Sequence, residues 1–255
     1  MLENRPIMDV PYSIFYNNDA SGYRNSVKLR LKMGDDNEVY IYVNDRKWSL
    51  EDVPSIIASE RASMREELVP LLTVNIIGDK NIRINKLKEL ELKLYSVNQR
   101  LISYSVRTDD LLNLRFERRG IKKLITQDIL NLKSNNILLP EIPYEKNIKI
   151  KDTIKNLIGK KVLFGNKEIL NSEDLESRFT EQNLETTIFE YNYHKGVTFQ
   201  EYINVLGAHF SAAIKMRKNQ QTIFINHEYE RDKFYNEEQS KLRVRFPIFI
   251  LEKFN

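Results

Sequence analysis

The chain of 255 residues is long enough for one large or two small domains, and 41% apolar residues are enough for a packed core. Its net charge of +4 comes from 40 basic and 36 acidic residues, a mixture that solvates a surface and excludes the concentrated basic patch of a nucleic-acid-binding protein. The absence of cysteine excludes disulfides and thiolate metal sites, and no run approaches the roughly 18 apolar residues of a membrane-spanning helix.

The N-terminal part predicts a lead-in followed by a hairpin. Residues 1–25 contain prolines, asparagines and one glycine, which is typical of an extended segment. From Val27 to Met33 apolar residues alternate with Lys28, Arg30 and Lys32, which predicts a half-buried strand with a basic outer face. A second alternating run, Val39–Val43, completes a β-hairpin.

The next stretch predicts two further strands, each preceded by a helix. Asn44-Asp45 favours a turn because both residues tolerate left-handed backbone, and Ser49 with Asp52 approximates a capping box at the start of a helix. The apolar run Leu71–Ile77, a helical stripe beginning at Ile84 and the alternating run Leu101–Arg107 follow. Residues 26–110 therefore predict a β-α-β-α-β unit, a small sheet covered on one face by two helices.

This order resembles the periplasmic domain of the ExbD/TolR family, in the form typical of Bacteroidetes. The likeness rests on the Asn-Asp turn, on the helical residues Ser59-Glu-Arg-Ala62 and Glu66-Glu-Leu-Val-Pro70, and on the strand Leu71–Ile77 with Asp79. It covers less than a third of the chain, from Val39 to Arg107.

The resemblance implies a function in energy transduction. Family members work with ExbB, a proton-conducting membrane partner, and pass the energy of the proton gradient to TonB, which opens outer-membrane transporters. The periplasmic domain is then expected to form a homodimer and to capture an extended TonB segment along a sheet edge. The candidate edge residues are Tyr104, Ser105, Val106 and Arg107 in the last strand of the unit and Lys28 and Arg30 in the basic-faced strand. The alternative is that these strands are internal and fully paired.

The family pattern also bears on location and on other partners. ExbD-like proteins carry an N-terminal membrane helix with an essential acidic residue, and this sequence has no counterpart to either. We expect a periplasmic chain whose inner-membrane anchor is missing from this sequence, or else an anchorless relative. Relatives in the TolR branch are associated with the cell wall, so peptidoglycan is an alternative partner.

Residues 111–145 are predicted to be a linker with a helical segment around 121–133. This stretch contains the densest basic cluster of the chain, which we interpret as the solvated face of the linker helix; phosphate contact is the alternative. The cluster consists of Arg115, Arg118, Arg119, Lys122 and Lys123.

Residues 146–255 are predicted to form a second, diverged α+β domain. Lys161–Phe164 and Thr187–Tyr191 are typical of strands, Ser172 begins a helix, and Thr198-Phe-Gln-Glu201 is a capping box before a well-patterned helix. Further strands are predicted over Thr222–Ile225 and Leu242–Leu251. Because this order repeats that of the first half, we expect two tandem ExbD/TolR-like units, each a small mixed sheet covered by two helices.

No pattern of catalytic residues emerges. The three histidines have no metal-ligand spacing, and His209 is expected to be packed or on the surface. Neither a Gly-x-Ser-x-Gly nucleophile turn nor a Gly-rich phosphate loop occurs. We therefore expect a binding module without catalytic residues, metal or cofactor; a small hydrolase or transferase is the remaining alternative.

Overall fold

The fold is taken from a computed structural model, which describes residues 8–17, 25–36, 38–109, 119–124, 135–138, 152–158, 162–164, 167–169, 171–181, 187–220, 238, 241–242 and 249–254. These residues form a mixed α+β structure, as the sequence predicted. Within them, no helix combines the length and apolar character needed to cross a bilayer.

The first half is built on a six-stranded sheet. Its elements are β1 (Ser26–Met33), β2 (Val39–Val43), β3 (Arg46–Trp48), α1 (Val53–Ala62), β4 (Thr73–Gly78), α2 (Ile84–Ser96), β5 (Leu101–Ser105) and β6 (Gly120–Leu124). The strand order is β3-β2-β1-β4-β5-β6, with β1, β4 and β5 parallel and the other pairs antiparallel. The connections from β1 to β4 and from β4 to β5 both move the chain in the same direction across the sheet. Because connections between parallel strands are right-handed, α1 and α2 lie on the same face of the sheet.

Local sequence explains the hairpin and the helix that follows it. In β1, Val27, Leu29 and Leu31 are buried, as the alternation predicted. Asn44 and Asp45 both have positive φ, 49° and 64°, so they form the predicted turn. This two-residue turn leads into the short strand β3, which the sequence analysis missed. The capping box is also confirmed, because the Ser49 backbone N–H donates to Asp52 Oδ2 at 2.8 Å.

The second half has a four-stranded sheet and a separate two-stranded hairpin. Its elements are β7 (Asn135–Leu138), β8 (Asp152–Ile158), β9 (Val162–Phe164), β10 (Lys167–Ile169), α3 (Ser172–Glu181), β11 (Thr187–Tyr193), α4 (Phe199–Asn219) and β12 (Phe249–Phe254). The strand order is β7-β12-β11-β8, with β8, β11 and β12 parallel and β7 antiparallel to β12. Strands β9 and β10 pair antiparallel.

Element for element, β8 to β12 repeat the order of β1 to β5. In each half a first strand is followed by an antiparallel hairpin, a helix, a parallel central strand, a second helix and another parallel strand. In each half an antiparallel strand, β6 or β7, also pairs with the last of these. The predicted strand Leu242–Leu251 is confirmed from Phe249, where β12 begins; Leu242 is helical, and residues 222–225 and 243–248 lie outside the described residues. The predicted domain limits, 26–110 and 146–255, stay a prediction.

The predicted linker helix is wrong at its start, because residues 120–124 form β6. Ile121 and Lys123 are buried while Lys122 between them is exposed, which is the two-residue period of a strand. The interpretation of the basic cluster as a solvated face is therefore wrong for Lys123. Arg115 and Arg118, and residues 125–134 of the predicted helix, lie outside the described residues.

Part of the predicted lead-in is packed against the folded core. Met8 and Val10 are buried with Ile77 on the sheet face opposite Ile76, since neighbouring residues of a strand point to opposite faces. Phe15 stacks on Phe210 of α4 with ring centroids 5.1 Å apart. Residues 8–17 thus contact both halves instead of extending away from them.

Candidate functional site

The two halves meet through equivalent residues. Arg83, at the N-cap of α2, and Thr198, at the N-cap of α4, form an antiparallel bridge. The N–H of Ile84 donates to the carbonyl of Val197 at 2.8 Å, and the N–H of Phe199 donates to the carbonyl of Ile82 at 2.7 Å. Arg83 therefore faces its own counterpart, and the hydrogen bonds on its two sides are reciprocal, which is the pattern of a two-fold axis.

Helix α4 is the main structural connection between the halves. It is buried around most of its circumference, which is typical of a helix enclosed by protein on several sides. Phe199 packs edge-on against Tyr104 of β5 at 5.4 Å between ring centroids, and Tyr202 packs against Tyr193 of β11 at 5.5 Å. The same helix thus contacts both sheets. Its start is fixed by the predicted capping box, in which the Thr198 N–H donates to Glu201 Oε2 at 2.7 Å.

Four buried charges lie at this interface. Lys88 Nζ of α2 is 2.9 Å from Glu252 Oε2 of β12 and 3.1 Å from Glu91 Oε1. Lys123 Nζ of β6 is 2.7 Å from Glu91 Oε2 and 3.9 Å from Glu252 Oε2. The side chains are 9% exposed or less, so the ion pairs are shielded from water. We call these four residues the ion cluster; its two positive and two negative charges cancel.

Tyrosine hydroxyls complete the ion cluster. Tyr202 accepts hydrogen bonds from Lys88 Nζ at 3.1 Å and Lys123 Nζ at 3.0 Å. Tyr104 donates to Glu91, and Tyr193 donates to Glu252 at 3.4 Å. Burial raises the pKa of all three hydroxyls well above the ordinary range, and the neighbouring carboxylates add to this effect. The hydroxyls therefore stay protonated and act as hydrogen-bonding groups.

The two lysines of the ion cluster have different proton affinities. Burial lowers the pKa of Lys123 to about 8, although Glu91 acts in the opposite direction. Burial also opposes the charge of Lys88, but the carboxylates of Glu252 and Glu91 outweigh it and raise the pKa of that lysine. Both ammonium groups share the same carboxylates and repel each other, so one of them binds its proton less tightly.

The ion cluster could not be predicted from the sequence, for a physical reason. Lys88 and Glu91 occur between the apolar residues of a helical stripe, where lysines and glutamates are normally solvated. Glu252, which pairs with Lys88, lies 164 residues further along the chain, so no local spacing indicates the pairing. The period of two from Ile121 to Lys123 was the one available signal that Lys123 points inward.

The predicted partner-binding strand is not a sheet edge. Tyr104 and Ser105 belong to β5, which pairs with β4 on one side and β6 on the other. The Val106 N–H donates to the carbonyl of Arg119 at 3.1 Å. The prediction of an open edge here was wrong because β6 supplies the missing neighbour.

The three other predicted edge residues are also covered. The Arg107 N–H donates to Pro11 O at 2.8 Å, so the N-terminal segment occupies that position. Lys28 and Arg30 lie in β1, which is hydrogen-bonded to β2 and β4. The alternative interpretation, in which both strands are internal, is the observed one.

An edge of the six-stranded sheet is formed instead by β3. Arg46 and Lys47 are exposed, and Lys47 Nζ lies 3.4 Å from the centroid of the Tyr40 ring. The pair that flanks a two-residue turn, here Val43 and Arg46, is hydrogen-bonded. Along an antiparallel ladder, hydrogen-bonded pairs alternate with pairs that are not hydrogen-bonded. The next pair, Tyr42 with Lys47, is therefore the non-bonded type, so the N–H and C=O of Lys47 point outward.

His209 is packed, one of the two expected environments. Its ring stacks on Phe179 at 4.8 Å, and Nδ1 is 3.1 Å from the Tyr191 hydroxyl. Burial lowers the pKa of His209 to about 3, with a further contribution from the charge of Arg217. Within the described part of the chain, no group of three His, Cys, Asp or Glu side chains could hold a metal ion.

The geometry is that of two similarly connected sheets joined by a helix, a reciprocal backbone bridge and buried charges. Comparison with protein-family models, curated proteins and solved structures found no significant match for this chain.

Proposed function

We propose that this chain is a partner-binding and force-relay module of the ExbD/TolR type, in which the second half occupies the place of a second subunit. The observation that carries the proposal is the reciprocal bridge between Arg83 and Thr198, joining equivalent positions of two halves with the same element order. A two-fold axis produces such contacts between the subunits of a homodimer. In this proposal the two halves of one chain form a pseudo-dimer, which takes the place of the homodimer.

Force relay requires the two halves to move together, and the interface supports this. Helix α4 packs on both sheets, and the ion cluster joins α2 and β6 of the first half to β12 of the second. Separating the sheets would expose apolar surface and leave buried charges unpaired, which is costly. A force applied to one sheet would therefore be transmitted to the other.

By the resemblance, the proposed partners are an ExbB-like proton channel and a TonB-like protein, and the proposed location is the periplasm. We place the partner-binding edge at β3, because the backbone of Lys47 points outward from the sheet. An extended segment can add to such an edge by backbone hydrogen bonds. Arg46 and Lys47 favour a segment that carries acidic residues.

The test is an NMR titration with a peptide from the cognate TonB-like periplasmic linker. We expect saturable shifts at Arg46, Lys47 and Trp48, and their loss in Lys47→Pro, which removes the outward N–H. Lys47→Glu should weaken binding, whereas Lys122→Glu, the same charge change at an exposed strand position, should not. Unchanged spectra outside β3 would show that the variants are folded.

Two outcomes would contradict the proposal. Absence of peptide binding together with co-sedimentation with peptidoglycan would favour the TolR-like alternative. Light scattering that shows a stable dimer, with the peptide bound at the dimer interface, would mean that the second half does not replace a subunit.

A further inference from the structure

A pocket of about 550 Å³ lies at the end of the first sheet where β4 and β5 begin. It is bounded by the C-terminal turn of α1, by the 3₁₀ turn Glu66–Leu71 and by the turn between α2 and β5. A volume of this size suits a small ligand or the end of a peptide. None of its lining residues belongs to the ion cluster or to β3.

One wall of the pocket is apolar and partly exposed. It includes the half-buried Val69 and the exposed Pro70, next to Leu72, which is buried. Leu71, in the same segment, is 57% exposed. Among the described residues it is the large apolar side chain that is exposed to solvent. Apolar side chains left open to water beside a pocket indicate a surface that a ligand can cover.

The opposite side of the pocket holds a fixed guanidinium group. Arg61 donates from Nη1 to the carbonyl of Val97 and from Nη2 to Gln99 Oε1 at 3.0 Å. Gln99, only 3% exposed, is itself fixed, because its Nε2 donates to Leu72 O at 2.8 Å and Leu101 O at 3.0 Å. A guanidinium has five donors, and these bonds use two of them. Arg61 is thus oriented before any ligand arrives.

The positive charge of this side is not neutralised by the described residues. Arg61 and Arg100 both line the pocket, and neither forms an ion pair with a described carboxylate. Arg61 Nε is buried and has no hydrogen-bond acceptor there. Arg65, by contrast, is paired with Glu67 at 3.5 Å and does not line the pocket. Two arginines without carboxylate partners beside an apolar wall form a site for an anion that has an apolar part.

We propose that this pocket binds a carboxylate attached to an apolar group, either a free carboxylic acid or the C-terminus of a peptide that ends in an apolar residue. The carboxylate would contact Arg61 and Arg100, and the apolar group would cover Val69 and Pro70. This binding is independent of the strand-edge function proposed above.

The test is a calorimetric titration of the full chain with acetyl-Ala-Leu bearing a free C-terminus and with the same peptide as its C-terminal amide. Because hydrogen bonds to a charged group are the strong ones, we expect the amide to bind at least about tenfold more weakly. Equal binding of the acid and the amide, or no binding of either, would overturn the proposal. N-acetyl-leucine separates the two sources: binding as tight as the dipeptide's indicates a free acid, and weaker binding indicates a peptide end.

Variants provide the second arm of the test. Arg61→Gln and Arg100→Gln should each weaken binding of the acid by about tenfold, and Arg65→Gln is the matched control that should leave it unchanged. Arg100 is exposed, so its variant tests the site even if Arg61→Gln lowers the melting temperature. Lys47→Pro should abolish the strand-edge interaction and leave this binding intact, which distinguishes failure of one proposal from failure of the other. If both arginine variants bind the acid as tightly as the unchanged protein does, the proposed site is wrong.

Discussion

The two halves share an element order but fill their interiors differently. In the first half the aromatic Tyr104 of β5 is fully buried, but the largest fully buried side chains of α1, β4 and α2 are aliphatic, for example Ile57, Ile76, Leu87 and Leu90. Those of α3, β11 and α4 are aromatic: Phe179, Tyr191, Tyr193, Phe199 and Tyr202. Equivalent elements therefore keep their arrangement when the chemistry of the core changes. Burial at the right period is what specifies the arrangement, and aliphatic and aromatic residues supply it equally well.

The equivalent helices α2 and α4 also differ in length, and the longer one contacts the N-terminal segment. Helix α2 has 13 residues and α4 has 21, which corresponds to about 20 Å and about 32 Å. In the longer helix, Phe210 reaches Phe15 of the N-terminal segment, and Gln200 Nε2 donates to the carbonyl of Tyr12 at 2.8 Å. The first half thus supplies a compact sheet, and the second supplies the helix that covers it.

The largest effect is expected from Glu91→Gln, which removes one charge of the ion cluster. Lys88 and Lys123 would lose a shared carboxylate, and an uncompensated buried charge costs about 3–5 kcal/mol of unfolding free energy. Chemical denaturation measures this. Glu89→Gln, which breaks an exposed pair with Lys86, is the control and should cost less than about 0.5 kcal/mol. A small effect at Glu91 would mean that the charges do not hold the halves together.

The aromatic half is tested by Tyr202→Phe, which keeps the ring and removes the hydroxyl. That oxygen accepts from both lysines, so its loss leaves buried donors without an acceptor and should cost about 2 kcal/mol. The half-buried Tyr95 on α2 provides the matched Tyr→Phe control, with little expected change. Equal losses of unfolding free energy in Tyr202→Phe and Tyr95→Phe would contradict a special role for the hydroxyl at the interface.

His209 should make the stability of the second half depend on pH. Its pKa is about 3 in the folded state against an ordinary 6.5, so below pH 6.5 the unfolded chain binds a proton that the folded chain does not. Stability is therefore lost as the pH falls, by about 1.5 kcal/mol between pH 6.5 and about pH 5. Glu91, whose pKa is lowered from 4.5, contributes only at more acidic pH. In His209→Gln, the unfolding free energy should depend less steeply on pH over this range, by the slope that corresponds to one bound proton. Denaturation curves recorded at several pH values measure this slope.

The smallest effect on stability is expected at the two bridge positions, Thr198 and Arg83. The Thr198 side chain accepts from the N–H of Glu201 at 3.3 Å, so Thr198→Ala should cost about 1 kcal/mol. Its counterpart Arg83 makes no side-chain capping bond, and Arg83→Ala should lose only an exposed bond to Gly196, less than about 0.5 kcal/mol. Melting temperatures of the two variants measure the difference. Equal losses would show that the N-caps do not distinguish the halves.

The sequence by itself determined features that depend on neighbouring residues. The alternation in β1, the turn at Asn44-Asp45 and the capping boxes of Ser49 and Thr198 were all predicted, because strand periodicity and helix caps are written in a few consecutive side chains. In the second half the same local signals predicted β9, α3, β11 and α4, whereas β8 and β10 were missed. The fold class could be predicted on that basis.

Only the tertiary structure decided which groups meet. Whether β5 is an edge depends on β6, whose pattern was taken for a helix, and on the docking of residues 8–17. Lys123 is buried because Glu91 and Glu252 neutralise it across 32 and more than 120 residues of chain. Pairing and charge compensation are contacts between distant segments, so their energy appears only when the chain is folded and no local pattern records it.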